Sequence, residues 1–171
     1  MNVWISLLNF SITFIIWSVL FFIFVLLHEL AHAIMYKLFT RDKNWSITIG
    51  MGRPMIKFKK LTINAWFMMS GYFSRSKNID IKFQHIIYSL AGGILNLLSA
   101  GAIYFLILHI ESLFPSIAYM NTFWFAVMHI SLYVNLWIAF FSLIPMRYPW
   151  RGNTPSDGLR VYYILTNKIN D

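Results

Sequence analysis

The chain has no cysteine. That single absence excludes disulfides, thiolate metal ligands and a cysteine nucleophile, so any metal site must be built from nitrogen and oxygen donors. Acid is scarce too, with 6 Asp and Glu against 14 Lys and Arg in 171 residues. Charged residues make up only 12% of the chain, hydrophobic residues 58% and aromatic residues 19%, and mean hydropathy is +0.61. A soluble domain carries roughly twice that charge, so the composition excludes one and predicts an integral membrane protein. Internal repeats, low-complexity tracts and an appended soluble domain are also missing, and residues 1–171 are expected to form one module.

What the chain has instead is length in its apolar runs. Val3 to Leu38, Phe83 to Ile110 and Ile117 to Pro145 can each cross a hydrocarbon core of about 30 Å, which takes roughly 20 helical residues. The first run has no small-residue cleavage site, so it is expected to stay in the mature protein rather than act as a signal peptide. Of the 14 basic residues, those from Lys37 to Lys82 lie between runs one and two, and the rest, from Arg147 to Lys168, follow run three. None lies between Glu111 and Asn121. The net charge of +8 is therefore read as topology, not as nucleic-acid binding. The basic first loop and the C-terminus are expected to be cytoplasmic, touching anionic lipid head groups, with the N-terminus outside.

The first run also holds His28-Glu29-Leu30-Ala31-His32. Residues i and i+4 share a helix face, so both imidazoles can reach one zinc ion, and Glu29 stands where it can take a proton from activated water. Three ionisable groups in five residues of a membrane span are costly unless something compensates them, and a metal ion does. At 1.5 Å per residue the pair lies roughly 8 to 14 Å short of Lys37, buried but near the cytoplasmic side.

Zinc needs a third protein ligand, and depth sorts the candidates. Glu111, His109 and His129 lie too far outward, while Asp42 and Asp80 read as solvated surface carboxylates. Two remain: His85, near the inner start of the second span, and Asp157, just after the third. A hard carboxylate beside two histidines leaves one position open for water, which favours Asp157.

Between spans one and two the pattern becomes extended. Trp45 to Ile49, Met55 to Lys59 and Leu61 to Trp66 alternate, with Gly50-Met51-Gly52 between them, so residues 44–73 are expected to form a small membrane-associated β-sheet of three or four short strands. Ile47, Ile49 and Leu61 are first candidates for positions on a free edge. A short helix is expected within 155–169. The small residues Ala91, Gly92, Gly93 and Gly101 of span two permit close helix contact. Asn96, a buried amide beside them, must find a partner: it ties span two to a neighbour or donates to a substrate carbonyl.

Taken in order, these segments resemble the site-2 protease family of zinc-dependent intramembrane metalloproteases. His28 to His32 is similar to the family's H-E-x-x-H helix, Met69-Ser70-Gly71-Tyr72 to its Gly-Gly-Tyr segment, and Ala91-Gly92-Gly93-Ile94-Leu95-Asn96 to its A-G-P-x-x-N. Phe141-Ser142-Leu143-Ile144-Pro145 followed by Asp157-Gly158 resembles its F-N-L-x-P and D-G. Gly93 stands where the family has Pro, Ser142 where it has Asn, and residues 146–156 replace a spacing of about four.

The resemblance implies a mainly α-helical core of three transmembrane helices, a short C-terminal helix and a sheet dipping beside the zinc. Zn2+ would be held by His28, His32 and Asp157, with Glu29 as catalytic base and Asn96, Ser142 and Gly71 near substrate. The expected activity is endoproteolysis of a membrane-spanning or membrane-inserted peptide near the cytoplasmic side of a bacterial cell membrane, with a regulatory membrane protein as a further partner. A rival enzyme reading is a membrane-bound zincin cutting chains at the cytoplasmic surface. The non-enzymatic alternative is a metal-binding membrane protein serving as a peptide chaperone or immunity factor, against which the intact Glu29 argues.

Overall fold

The computed structural model describes residues 3–113 and 122–168. The rest of the expected outer turn, the start of the expected third span at 117 and residue 169 lie outside the described residues. Helix α1 spans Val3–Thr40, α2 Lys82–Leu113 and α3 Thr122–Leu143, and all three are long and apolar enough to cross a membrane. With 38 residues, α1 reaches about 57 Å, nearly twice the hydrocarbon thickness, so it tilts or emerges from lipid. Its first half turns Leu7, Phe10, Ile15 and Val19 outward, as a lipid-facing helix should.

Helix ends follow local chemistry rather than hydropathy. α1 continues to Thr40 and stops where Arg41 enters the left-handed region at φ 53°. α3 ends at Leu143, short of the expected Pro145, because the residue before a proline is pushed out of helical geometry.

The extended region is two long strands, β1 (Trp45–Phe58) and β2 (Leu61–Arg75), rather than three or four short ones. Each folds on itself, so the pair supplies several paired stretches. Trp45 to Ile49 runs antiparallel to Gly71–Arg75, and Phe58 to Ile56 runs antiparallel to Leu61–Ile63. Ile47, Thr48 and Ile49 also register against Leu61, Thr62 and Ile63, in the same direction. The bend in β1 needs Gly50 and Gly52, both at φ 85°; a Cβ on Gly50 would lie 2.7 Å from the Trp66 carbonyl oxygen. Ile47 and Ile49 are therefore central and buried, and Leu61 is paired on both sides. The free edges are the stretches near 54–58 and 71–75, which corrects the expectation for Ile47, Ile49 and Leu61.

The core gathers at one end of the bundle. Val25, Ala33 and Tyr36 of α1, Ile47, Ile49 and Phe73 of the sheet, Tyr88 of α2 and Val134 and Ile138 of α3 form one buried cluster. After α3 the chain makes a small hairpin, β3 (Arg147–Tyr148) against β4 (Thr154–Pro155), through a 3-10 turn at Pro149–Arg151 and a left-handed Gly152. Helix α4, Asp157–Leu165, follows within the expected stretch; Ser156 is its extended N-cap, and Asn167 beyond its end is left-handed.

Asp80 is exposed, as expected of a surface carboxylate, but Asp42 is buried at 8% exposure. Its carboxylate accepts from Tyr36 Oη at 2.6 Å, from the Asn44 N–H at 3.0 Å and from the Ser76 hydroxyl. It thereby locks the end of α1 to both ends of the sheet. The Ser76 and Tyr36 hydroxyls hold this carboxyl well below the usual carboxylate range. A depressed carboxyl contributes stability that is full above its unfolded pKa of about 4 and lost as pH falls through the folded value. Asp42→Ala should lower the unfolding temperature in detergent by a few degrees at pH 7, with the deficit steady down to about pH 5 and shrinking below pH 4. A deficit that does not change with pH would assign the loss to packing instead.

Candidate metal centre

The three donors expected from the sequence converge. From α1, His28 and His32 present Nε2; from the first residue of α4, Asp157 presents Oδ2. The three ligand sites fall within 4.8 Å of one another. The edges of the triangle are 3.2 Å from His28 Nε2 to Asp157 Oδ2, 3.2 Å between the two Nε2 atoms and 3.4 Å from His32 Nε2 to Asp157 Oδ2. A tetrahedral ion with donor bonds of about 2.0–2.1 Å sets its donors roughly 3.3–3.4 Å apart, so the spacing fits such an ion.

Hydrogen bonds behind the rings fix which nitrogen faces inward. His32 Nδ1 lies 2.7 Å from the Tyr88 carbonyl oxygen, which can only accept, so Nδ1 carries a proton and, in the neutral ring, Nε2 has the lone pair. His28 is set by a longer chain. Asn135 Nδ2 donates to the Ser131 carbonyl at 2.9 Å, leaving Asn135 Oδ1 to accept from Asn96 Nδ2 at 2.9 Å. Asn96 Oδ1 then accepts from His28 Nδ1 at 2.8 Å, so the neutral His28 ring also keeps its lone pair on Nε2. Two lone pairs and a carboxylate oxygen at van der Waals distance repel unless a cation or proton sits among them. This donor set suits a divalent metal.

The surroundings are shaped for close approach. Gly92 lies against the His28 ring, and a Cβ there would come 2.6 Å from His28 Cε1. Gly93 faces Leu143, and a Cβ would fall 2.6 Å from its side chain, so the Gly–Gly pair brings α2 onto both α1 and α3. Ser142 Oγ donates to Asp157 Oδ2 at 2.7 Å, orienting the carboxylate.

Asp157 reaches the site because residues 146–156 fold back on themselves. Ser156 N–H donates to the Met146 carbonyl at 2.9 Å, and Met146 N–H donates to Ser156 Oγ at 3.1 Å. The same Ser156 hydroxyl donates to the Ile144 carbonyl at 2.6 Å and caps α4 by accepting from Leu159 N at 3.1 Å. The two ends of residues 146–156 are thus neighbours, and α4 starts beside the end of α3.

A cavity of about 180 Å³ opens beside the donors, room for several waters or a short stretch of backbone. Its walls include Glu29, Ser70 to Phe73 of β2, the apolar Phe21, Val25, Trp137 and Phe141, and Arg151 and Arg160. Glu29 is buried, and a Cβ on Gly71 would come 2.6 Å from its Cγ. Only a glycine lets the strand pass that close to the carboxylate.

Of the other sequence-derived positions, Gly71 and Ser142 line the cavity, while Asn96 stands behind His28 with both ends of its amide engaged. His85 is not brought to the donors; its Nε2 lies 3.5 Å from Arg75 Nη1. Asn135, the Tyr88 carbonyl, Arg151 and Arg160 enter from outside any motif. Asn135 is legible in the sequence by the reasoning that singles out Asn96, as an amide in an apolar span.

No family model and no solved structure matches the chain. The chain is similar to the uncharacterized membrane protein YwmF of Bacillus subtilis (strain 168), at 27% identity over 141 residues, which cover 82% of this chain and 80% of that protein. Together with the three apolar helices, this likeness makes the chain a mainly α-helical membrane protein with a small, largely antiparallel sheet between its first two spans.

Proposed function

We propose that the protein is an intramembrane zinc endopeptidase of the site-2 protease type. The observation that carries this reading is the triangle of His28, His32 and Asp157 donors at tetrahedral spacing, with Glu29 in the same cavity. When bound to these three residues, zinc supplies a Lewis acid for the scissile carbonyl and lowers the pKa of water toward 7. Glu29 takes the proton that water loses as its oxygen adds to the carbonyl carbon, and delivers it to the amine as the C–N bond breaks. Asn96 and the Tyr88 carbonyl hold the two imidazoles in the tautomers that binding requires. The apolar wall from Phe21 to Phe141 suits a peptide coming from the membrane.

The stretch from Ser70 to Phe73 borders this cavity along the free edge of the sheet. A substrate helix that unwinds there exchanges its internal hydrogen bonds for strand pairing, which meets the backbone requirement inside a membrane. In the topology this reading adopts, the N-terminus lies outside and the basic first loop and C-terminus lie inside, in a bacterial cell membrane. The site then opens toward the cytoplasmic side.

Glu29→Gln should keep zinc at wild-type stoichiometry and lower cleavage of a labelled transmembrane peptide by roughly 10²- to 10⁴-fold. Normal turnover in this variant would sink the mechanism, and loss of zinc would make Glu29 structural. Asp157→Ala should lose zinc, whereas His85→Ala should retain it; the reverse would move the third ligand to His85. Asn135→Leu touches neither metal nor substrate, yet it removes the acceptor that orients Asn96. A chelator competition should show its zinc affinity reduced about 10- to 100-fold, and unchanged affinity would break the link from α3 to His28.

A further inference from the structure

The guanidinium of Arg151 sits at the tip of the β3–β4 hairpin with its donors unspent. Its Cζ lies 5.8 Å from the centre of the Tyr148 ring on its own hairpin and 5.9 Å from that of Tyr72 on the edge stretch of β2. Among the described residues no carboxylate is paired with it and no acceptor is hydrogen-bonded to it. Arg147, at the base of the same hairpin, differs: it donates to the Asn153 carbonyl at 3.1 Å and to Tyr163 Oη at 3.0 Å, so it serves the fold. Arg151 instead lines the cavity that holds Glu29 and the three metal donors, as does Arg160.

An arginine stays charged at any accessible pH and presents a planar fork of donors that matches a carboxylate. The two tyrosine rings hold that fork from both the hairpin and the edge strand, which reduces the ordering cost of binding. We propose that Arg151 is a specificity residue that binds a carboxylate of the peptide lying along β2, near the scissile bond. The carboxylate belongs to an acidic side chain or to a free C-terminus. This inference rests on the peptidase reading above. It also has a selective consequence, since ordinary membrane spans carry Lys and Arg at their cytoplasmic ends. Such flanks are repelled by Arg151 and Arg160, and a carboxylate there is accepted. The position of the guanidinium inside the donor cavity favours a peptide over an anionic lipid head group.

The test uses zinc-loaded Glu29→Gln protein in detergent and labelled apolar peptides differing by one residue. A Glu or Gln is placed in turn at the first polar positions after the apolar stretch, and each peptide is made as free acid and as amide. Fluorescence anisotropy should show one Glu peptide binding roughly tenfold tighter than its Gln partner, the size expected for a charged hydrogen bond. Adding Arg151→Gln should bring the ratio near one, Arg151→Lys should keep part of it, and Arg151→Glu should invert it in favour of the Gln peptide. Discrimination between acid and amide, without discrimination between Glu and Gln, assigns the carboxylate to the C-terminus. Absence of both preferences, or equal weakening of Glu and Gln peptides in Arg151→Gln, overturns the inference and leaves Arg151 as packing between two tyrosines. Arg151-dependent binding to phosphatidylglycerol nanodiscs with no peptide preference overturns it in favour of lipid. Because binding is read in an inactive variant, wild-type cleavage is scored separately. Preference without wild-type cleavage sinks the peptidase reading and keeps the recognition.

Discussion

Burying polar groups in an apolar bundle is expensive unless every one of them is bonded, and that constraint organises this protein around His28. Its imidazole lies against Gly92 on one side and carries a hydrogen bond to Asn96 on the other. Asn96 in turn bonds Asn135, and Asn135 ends the chain on the Ser131 carbonyl. Helices α1, α2 and α3 are thus joined through side chains that have nowhere else to put their donors, which is worth more in a low-dielectric interior than at a surface. Because the last acceptor is a backbone carbonyl, the chain has one direction only. The lone pair of His28 therefore points at Asp157 by construction of the scaffold.

The same constraint explains what the sequence makes legible and what it hides. Hydropathy is a local property, so the three spans can be read from it, and the i, i+4 spacing of His28 and His32 fixes a shared helix face in advance. Depth narrows the third donor to His85 and Asp157, and the chemistry of a hard carboxylate beside two imidazoles favours Asp157. The strand pattern of residues 44–73 is visible as alternation, but its folding is not. The pairing of Ile47 with both Leu61 and Phe73 depends on a bend at Gly50 and Gly52 and on contacts remote in sequence. Asp42 shows the opposite failure, since a lone carboxylate after a basic helix end looks solvated and only the fold brings Tyr36 and Ser76 to it.

The segment 146–156 separates length from position. Closing a flexible loop costs free energy that rises only slowly with its length, and here Met146 and Ser156 are bonded to each other at its base. Gly158 shows how little slack remains beyond that point. A Cβ there would meet the Leu143 carbonyl carbon at 2.5 Å, so the start of α4 is pressed directly against the end of α3. Residues 146–156 are therefore carried as a hairpin while Asp157 stays at the end of α3, and the hairpin forms part of the cavity wall.

Backbone groups exposed to lipid are intolerable, yet a strand with one unpaired edge lies next to the donors. That edge faces the cavity, where Ser70 to Phe73 share the wall with Glu29 and with the polar residues of the hairpin. A wet pocket is the one environment near a membrane span in which free N–H and C=O groups can wait for a partner. The polar cavity that His28, His32 and Asp157 share with Glu29 thus also accounts for the open strand edge, since a free N–H or C=O there meets polar side chains rather than lipid.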